Sequence, residues 1–220
     1  MPIILQIETS STNTSVVLAK DGKVIASKEQ DSAGYSHEKL LHPFVEQVLQ
    51  EAKLNMTDLD AIAVGSGPGS FTGLRIGVAG AKGLCFALDI PLISVPTMEL
   101  LARQITTETE LDRIIAVVDA RRMEVYTTVF TADYQELVPT HAYILEEDAY
   151  AELEGKKLAF VGSGAKKIQE FKEFQNAIFL SDALPSAKEM TIPALKRYKA
   201  QEFEDTAYFE PFYLKDFKPH

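Results

Sequence analysis

The segment Gly65-Ser66-Gly67-Pro68-Gly69-Ser70-Phe71-Thr72-Gly73 is where residue type and spacing come closest to chemistry. Its glycines allow positive φ angles, and backbone amides at a helix start could cradle an anion. It lacks the lysine of a phosphate-binding P-loop and does not match the dinucleotide fingerprint. A tight strand-to-helix turn that needs glycine is the simpler use. His37 and His42 stand five positions apart on a predicted helix, out of alignment by more than a turn, with no carboxylate pair nearby beyond Glu38. They are expected to be surface or capping histidines, and His141 and His220 are isolated. The single cysteine, Cys85, has apolar neighbours and is expected to be an inert core thiol. No nucleophile–base pair can be assembled from these residues.

The elements that would position such groups come in two copies. Ile3-Ile4-Leu5-Gln6-Ile7-Glu8 leads through a polar turn into Ser15-Val16-Val17-Leu18-Ala19. Ile114-Ile115-Ala116-Val117-Val118-Asp119 leads in the same way into Tyr126-Thr127-Thr128-Val129-Phe130. Each is a hairpin signature, a β-branched run ending in an acid. The acids are 119 − 8 = 111 positions apart. Val64-Gly65-Ser66-Gly67 returns as Val161-Gly162-Ser163-Gly164 at an offset of 161 − 64 = 97, so the second copy is 111 − 97 = 14 residues shorter before that point. The missing length falls where the first copy carries its long helix.

In the first copy the pattern predicts strand, strand, strand, helix, strand, helix, strand, helix, with a turn at Asp21-Gly22. Ser36 is a candidate N-cap for the first helix. Leu40, Leu41, Phe44, Val45, Val48, Leu49 and Ala52 then recur at helical spacing, with Pro43 a potential kink. Ala61 to Val64 and Pro91 to Val95 read as short buried strands. In the second helix Gly73, Gly77, Gly80 and Leu84 share one face, and Leu74, Val78, Ala81, Cys85 and Leu88 share its neighbour. Glycine costs a helix interior up to about 1 kcal/mol relative to alanine, so a glycine stripe implies close approach of another backbone. That backbone could belong to the chain's own first helix or to a partner's helices. Strands alternating with helices imply an α/β chain.

Composition narrows the function classes. The chain has 220 residues, 46% hydrophobic and 25% charged, enough for two small lobes. Its net charge is −10, and without a basic run it is a poor stand-alone binder of RNA or DNA, so any contact with nucleic acid would be mostly through a partner. The first residues read as a strand, with no signal-peptide pattern and no apolar stretch approaching a membrane span of about 18 residues. One cysteine fits a reducing compartment, and a cytoplasmic location is expected.

Ile7-Glu8-Thr9-Ser10, the block Gly67-Pro68-Gly69-Ser70-Phe71-Thr72-Gly73-Leu74-Arg75-Ile76-Gly77, Asp119-Ala120-Arg121, Glu124-Val125-Tyr126 and Pro211-Phe212-Tyr213-Leu214 resemble the TsaB (YeaZ) family over nearly the whole chain. The resemblance implies a duplicated actin/Hsp70-like, ribonuclease H-like α/β fold in two lobes. It also implies a place in the bacterial machinery that makes N6-threonylcarbamoyladenosine at position 37 of tRNAs reading ANN codons. There the family is implied to be the non-catalytic partner of TsaD, its catalytic paralogue, with the ATPase TsaE joining them, and a homodimer is possible in isolation. TsaD paralogues are implied to hold a metal with a His-x-x-x-His pair; the corresponding positions are Thr97 and Leu101, poor or incapable ligands. Actin-like kinases need glycine after each acid, where this chain has Thr9-Ser10 and Ala120-Arg121-Arg122; the two arginines could attract an anion or serve surface pairing.

No catalytic, metal or cofactor residue is therefore assigned. The expected partner interface is Leu40, Leu41, Phe44 and Val45 with Gly73, Leu74, Gly77, Gly80 and Leu84. The expected lobes are 1–105 and 106–189, with 190–220 packing back on the first through a helix near Met190 to Lys199. A small-molecule kinase or ATPase on the same fold, and a glycoprotease-like metallopeptidase, are the competing classes. Each would need groups that the sequence lacks.

Overall fold

Two hairpins, each ending its first strand in an acid, begin the two halves of the chain. The computed structural model describes residues 1–32, 36–106 and 110–215. The first half runs β1 (Ile3–Glu8), β2 (Asn13–Lys20), β3 (Lys23–Asp31), α1 (His37–Ala52), β4 (Ala61–Gly65), α2 (Phe71–Leu88), β5 (Leu92–Val95) and α3 (Thr97–Ala102). The second runs β6 (Arg113–Asp119), β7 (Glu124–Phe130), β8 (Glu136–Ile144), β9 (Leu158–Val161), α4 (Ala165–Phe171) and β10 (Ala177–Leu180), and α5 (Thr191–Ala200) follows. His220 and Thr107 to Thr109 in the expected linker lie outside the described residues.

The sheets have strand orders β3-β2-β1-β4-β5 and β8-β7-β6-β9-β10. In each, the hairpin pair is antiparallel and the later strands add parallel to the first. This twice-used order is the actin/Hsp70-like, ribonuclease H-like arrangement. Where the first half carries α1, the second has only a 3-10 turn at Ala151–Leu153. That accounts for the shorter spacing in the second copy.

Unit 1 comprises Met1–Leu100 and the chain from Pro185 onward; unit 2 is Leu101–Leu184. Both breaks fall earlier than 105 and 189, for a packing reason. Gln104 Nε2 donates to the Leu184 carbonyl and the Tyr134 hydroxyl donates to the Ile105 carbonyl, which ties 101–105 to unit 2. On the other side, Asn13 Nδ2 donates to the Pro185 carbonyl at 3.1 Å and Ala187 N to Ser15 Oγ at 3.1 Å, tying 185–189 to unit 1.

In unit 1, one sheet face packs Leu5, Ile7, Leu18 and Ile62 against Leu41, Val45 and Val48 of α1 and Val78, Ala81 and Cys85 of α2. The other face packs Ile4, Ala61, Ala63 and Ile93 against Leu100, Met190 and Ala194. β4 is buried along its whole length, as a central parallel strand covered on both faces must be. The Asp21-Gly22 turn has φ of 49° and 78°, the left-handed pair that a tight hairpin needs. Pro43 lies inside α1 on its exposed side, and the helix continues through it. Unit 2 has an aromatic core in which Phe160 stacks on Phe179 at 5.1 Å and meets Tyr150 edge-on.

α2 corrects one expectation. At 18 residues with mean hydropathy 1.3 it is long and apolar enough to cross a membrane by length and composition. Its Leu74, Val78, Ala81 and Cys85 are instead buried on the sheet.

The returning segment is fastened by Asn13, which also donates to Glu29 Oε1 at 2.6 Å, while Lys188 pairs with Glu29 at 2.6 Å. Asn13→Ala should lower stability by about 1–3 kcal/mol in urea denaturation, since it strands buried acceptors. A loss near zero would show that this seam does not hold the segment.

Candidate functional site

Thr9 and Ser10 follow β1 at the carboxyl end of the parallel strands, the usual ligand end of an open α/β sheet. A chain turning there exposes amides that could receive a phosphate. Here Glu8 fills that place itself. Its side chain is fully buried, and Oε1 accepts the Ser10 amide at 2.5 Å. Burial pushes the carboxyl above its ordinary range, against the downward pull of hydrogen bonds from the Ser10 and Thr9 amides. The second half repeats the device, with Asp119 Oδ1 accepting the Arg121 amide at 2.7 Å and pairing with Lys167. The duplication thus extends to a hydrogen bond, acid to second-next amide, in both turns.

The glycine-rich segment closes over the first turn. Ser70 N donates to the Ser10 carbonyl at 2.7 Å, Ser70 Oγ caps α2 by accepting Gly73 N at 3.3 Å, and Thr9 Oγ1 donates to the Gly73 carbonyl at 2.7 Å. A methyl group at Gly69 would overlap the Ser10 carbonyl, at Gly73 the Thr9 carbonyl, and at Gly77 the Thr9 hydroxyl. Gly80 faces Leu41 of α1. The backbone that the glycine stripe admits is therefore the chain's own β1–β2 turn, with α1 beyond it. The segment serves as a strand-to-helix turn whose Ser66, Ser70 and Gly73 amides are engaged internally. The C-terminal chain clamps it from outside: Phe212 N donates to the Ser66 carbonyl at 2.8 Å, Tyr213 packs on Phe71 at 5.1 Å, and Lys82 Nζ donates to the Phe209 carbonyl at 2.8 Å.

Thr97 opens α3 and Leu101 follows one turn later; both are buried. Leucine brings no donor atom, so the pair does not fit a metal. Among the described residues no three His, Cys, Asp or Glu side chains cluster for one. His42 is exposed as expected, but His37 is not a surface residue. It is completely buried with Nδ1 2.7 Å from the Thr14 hydroxyl, and burial lowers its pKa.

The side of α2 away from the sheet is a different surface. Arg75, Ala79, Gly83, Phe86 and Ala87 are exposed there, and Phe86 is 87% exposed. Arg75 stacks over Phe71 at 4.0 Å. A cleft of about 570 Å³ runs between Arg75, Val78, Ala79 and Lys82 of α2 and Phe209 to Pro211 with Tyr213.

Comparison with known proteins matches this geometry. A family model described as "TsaD: tRNA N6-adenosine threonylcarbamoyltransferase" matches residues 23–218. The tRNA threonylcarbamoyladenosine biosynthesis protein TsaB of Haemophilus influenzae is 30% identical, covering 97% of this chain and 93% of its own. The chain belongs to the TsaB (YeaZ) branch of this family. The TsaB of Escherichia coli is also 30% identical, over 97% of this chain and 94% of its own. The structure of YeaZ from Pseudomonas aeruginosa superposes with a TM-score of 0.86 at 28% identity, covering 97% of this chain and 100% of that one. The fold, the closed turn and the glycine stripe thus sit in a family tied by its relatives' names to tRNA threonylcarbamoyladenosine biosynthesis.

The expected interface residues divide on burial. Leu41, Phe44, Val45 and Leu74 are buried in the unit 1 core, and Gly73 and Gly77 lie against Thr9. All six are enclosed within unit 1. Leu40, Gly80 and Leu84 are partly exposed. The residue missed was Phe86. The signal was available: at about 100° per residue it lies opposite the Gly73, Gly77 and Leu84 stripe and to one side of Leu74, Val78 and Ala81, on a face that the sequence pattern left unassigned.

Gly77→Leu should therefore reduce soluble, folded protein rather than merely weaken pairing. Gly83→Ala, with open space around it, should raise thermal stability by about 0.5–1 kcal/mol; equal behaviour of the two variants would contradict the assignment of faces. Glu8→Gln tests the buried acid. Above the unfolded carboxylate value near 4.5 the folded protein retains a proton that the unfolded chain releases, so wild-type stability falls as pH rises through Glu8's raised value. Denaturation at pH 4 and pH 7 should show Glu8→Gln close to wild type at the lower pH and more stable at the higher. A variant with the wild-type slope would show that Glu8 stays ionised.

Proposed function

We propose that the chain is a partner subunit, without catalysis of its own, in the bacterial complex that forms N6-threonylcarbamoyladenosine at position 37 of tRNAs reading ANN codons. It pairs with a TsaD-like catalytic subunit and, with it, a TsaE-like ATPase, and it reaches tRNA within that assembly. Family membership supports the pathway. The acids that would face a nucleotide are bound to their own turns, and the two positions matching the metal pair are Thr97 and Leu101. Both points favour a supporting role over a kinase or a metallopeptidase.

The observation that carries the pairing is Phe86. A phenylalanine side chain left in water forgoes about 1.5–3 kcal/mol of burial free energy. It is surrounded on its helix by Ala79, Gly83 and Ala87, small residues that let another helix approach. Leu40, Gly80 and Leu84 are also partly exposed, and a second copy of the chain could cover Phe86 when the catalytic subunit is absent.

Phe86→Glu should weaken association with the TsaD-like subunit at least tenfold in size-exclusion or calorimetric titration, and lower tRNA modification by the mixture, while the melting temperature stays within about 2 °C. Undiminished association would refute this placement of the interface.

A further inference from the structure

The β6–β7 turn of unit 2 carries charge that subunit pairing does not use. Arg121 and Arg122 hold left-handed backbone, with φ of 66° and 50°. Such a conformation costs a residue with a side chain roughly 1–2 kcal/mol, and Asn-Gly is the usual choice for it. The turn is held by Arg121 N on Asp119 Oδ1 at 2.7 Å, Ala120 N on the Glu124 carbonyl at 3.2 Å and Asp119 N on Ser163 Oγ at 3.1 Å. Two arginines are thereby kept at the exposed tip of a hairpin where smaller residues would fold more easily.

The bond to Ser163 and the Lys167–Asp119 ion pair bring the first turn of α4 beside this tip. Lys166 and Lys167 therefore join Arg121 and Arg122. Asp119 is occupied by Lys167, and Lys167 Nζ also reaches the Glu124 carbonyl at 3.0 Å. Lys166 meets only Glu170, at 3.9 Å with both side chains well exposed, a pair that water and salt readily exchange. Arg122 makes no ion pair among the described residues. In a chain of net charge −10, Arg122, Lys166 and Lys167 thus lie on this turn and the helix turn beside it, with Asp119 and Glu170 as the acids paired to the two lysines.

We propose that this tip contacts the phosphodiester backbone of the RNA substrate. The proposal rests on the reading of the chain as a subunit of a tRNA-modifying complex. Guanidinium groups take phosphate oxygens two at a time, and lysines add point charge beside them. Exposed cations at a hairpin tip hold a single phosphate weakly but gain with each further phosphate of a polymer. The contact positions RNA and carries no sequence information.

The test uses the chain assembled with its TsaD-like and TsaE-like partners and a tRNA reading an ANN codon. Arg122→Glu/Lys166→Glu is compared with Lys196→Glu/Lys199→Glu, an equal charge change on α5 of unit 1. Assembly is followed by size exclusion, and tRNA affinity by filter binding over a salt series. The first variant should assemble normally and bind tRNA about tenfold more weakly, with the salt slope reduced by about one for each phosphate no longer neutralised; the control should match wild type. Unchanged affinity, or an equal loss in the control, overturns the proposal, and failed assembly of the first variant overturns it by assigning the tip to protein pairing. A wild-type chain that does not assemble at all would refute the subunit reading itself, and the proposal with it.

Discussion

The approach of α2 to the β1–β2 turn governs the rest of the first unit. Thr9 donates its hydroxyl to the Gly73 carbonyl, Ser70 donates its amide to the Ser10 carbonyl, and no side chain fits between the two segments at 69, 73 or 77. This one contact fixes the angle at which α2 leaves β4. It presses Val78, Ala81 and Cys85 onto the sheet and so turns Phe86 outward. It also covers the turn where a phosphate would approach, leaving the Glu8 carboxyl enclosed with its own neighbours' amides. The closed turn and the outward Phe86 are two consequences of the same packing.

The two units differ in the helices added to a shared plan. Both units keep the five-strand order and the acid that accepts the second-next amide. Between its third and fourth strands unit 1 has 16 residues of α1, where unit 2 has a three-residue 3-10 turn. After the fourth strand, α2 runs 18 residues and α4 runs seven. Without the long helices, unit 2 closes its core with aromatic residues, and its hairpin tip is free to carry charge.

Much of this was legible in the residues. The hairpins, the alternation of strands and helices, the repeat and the place of its deletion all follow from periodicity and from two pairs of short matches. The glycine stripe correctly announced a close backbone. Periodicity says which residues share a face, however, and not what that face meets. Leu41, Val45 and Leu74 were therefore named as partner-interface residues, whereas they are buried within unit 1. His37 failed for a related reason, because its partner Thr14 is 23 positions away and no local spacing links them. The return of the chain after Pro185 was expected, but not its fastening through Asn13 and Ser15, which depends on contacts about 172 positions apart.

The central claim is that the outward face of α2, with the edge of α1 beside it, is where the chain meets its partner. Amide hydrogen exchange of the chain alone and with a TsaD-like subunit, in the absence of RNA, addresses it most directly. The account predicts slower exchange on binding in peptides spanning 37–52 and 71–88, with peptides from 113–180 unchanged. Protection confined to unit 2, with α2 exchanging as in the free chain, would contradict it.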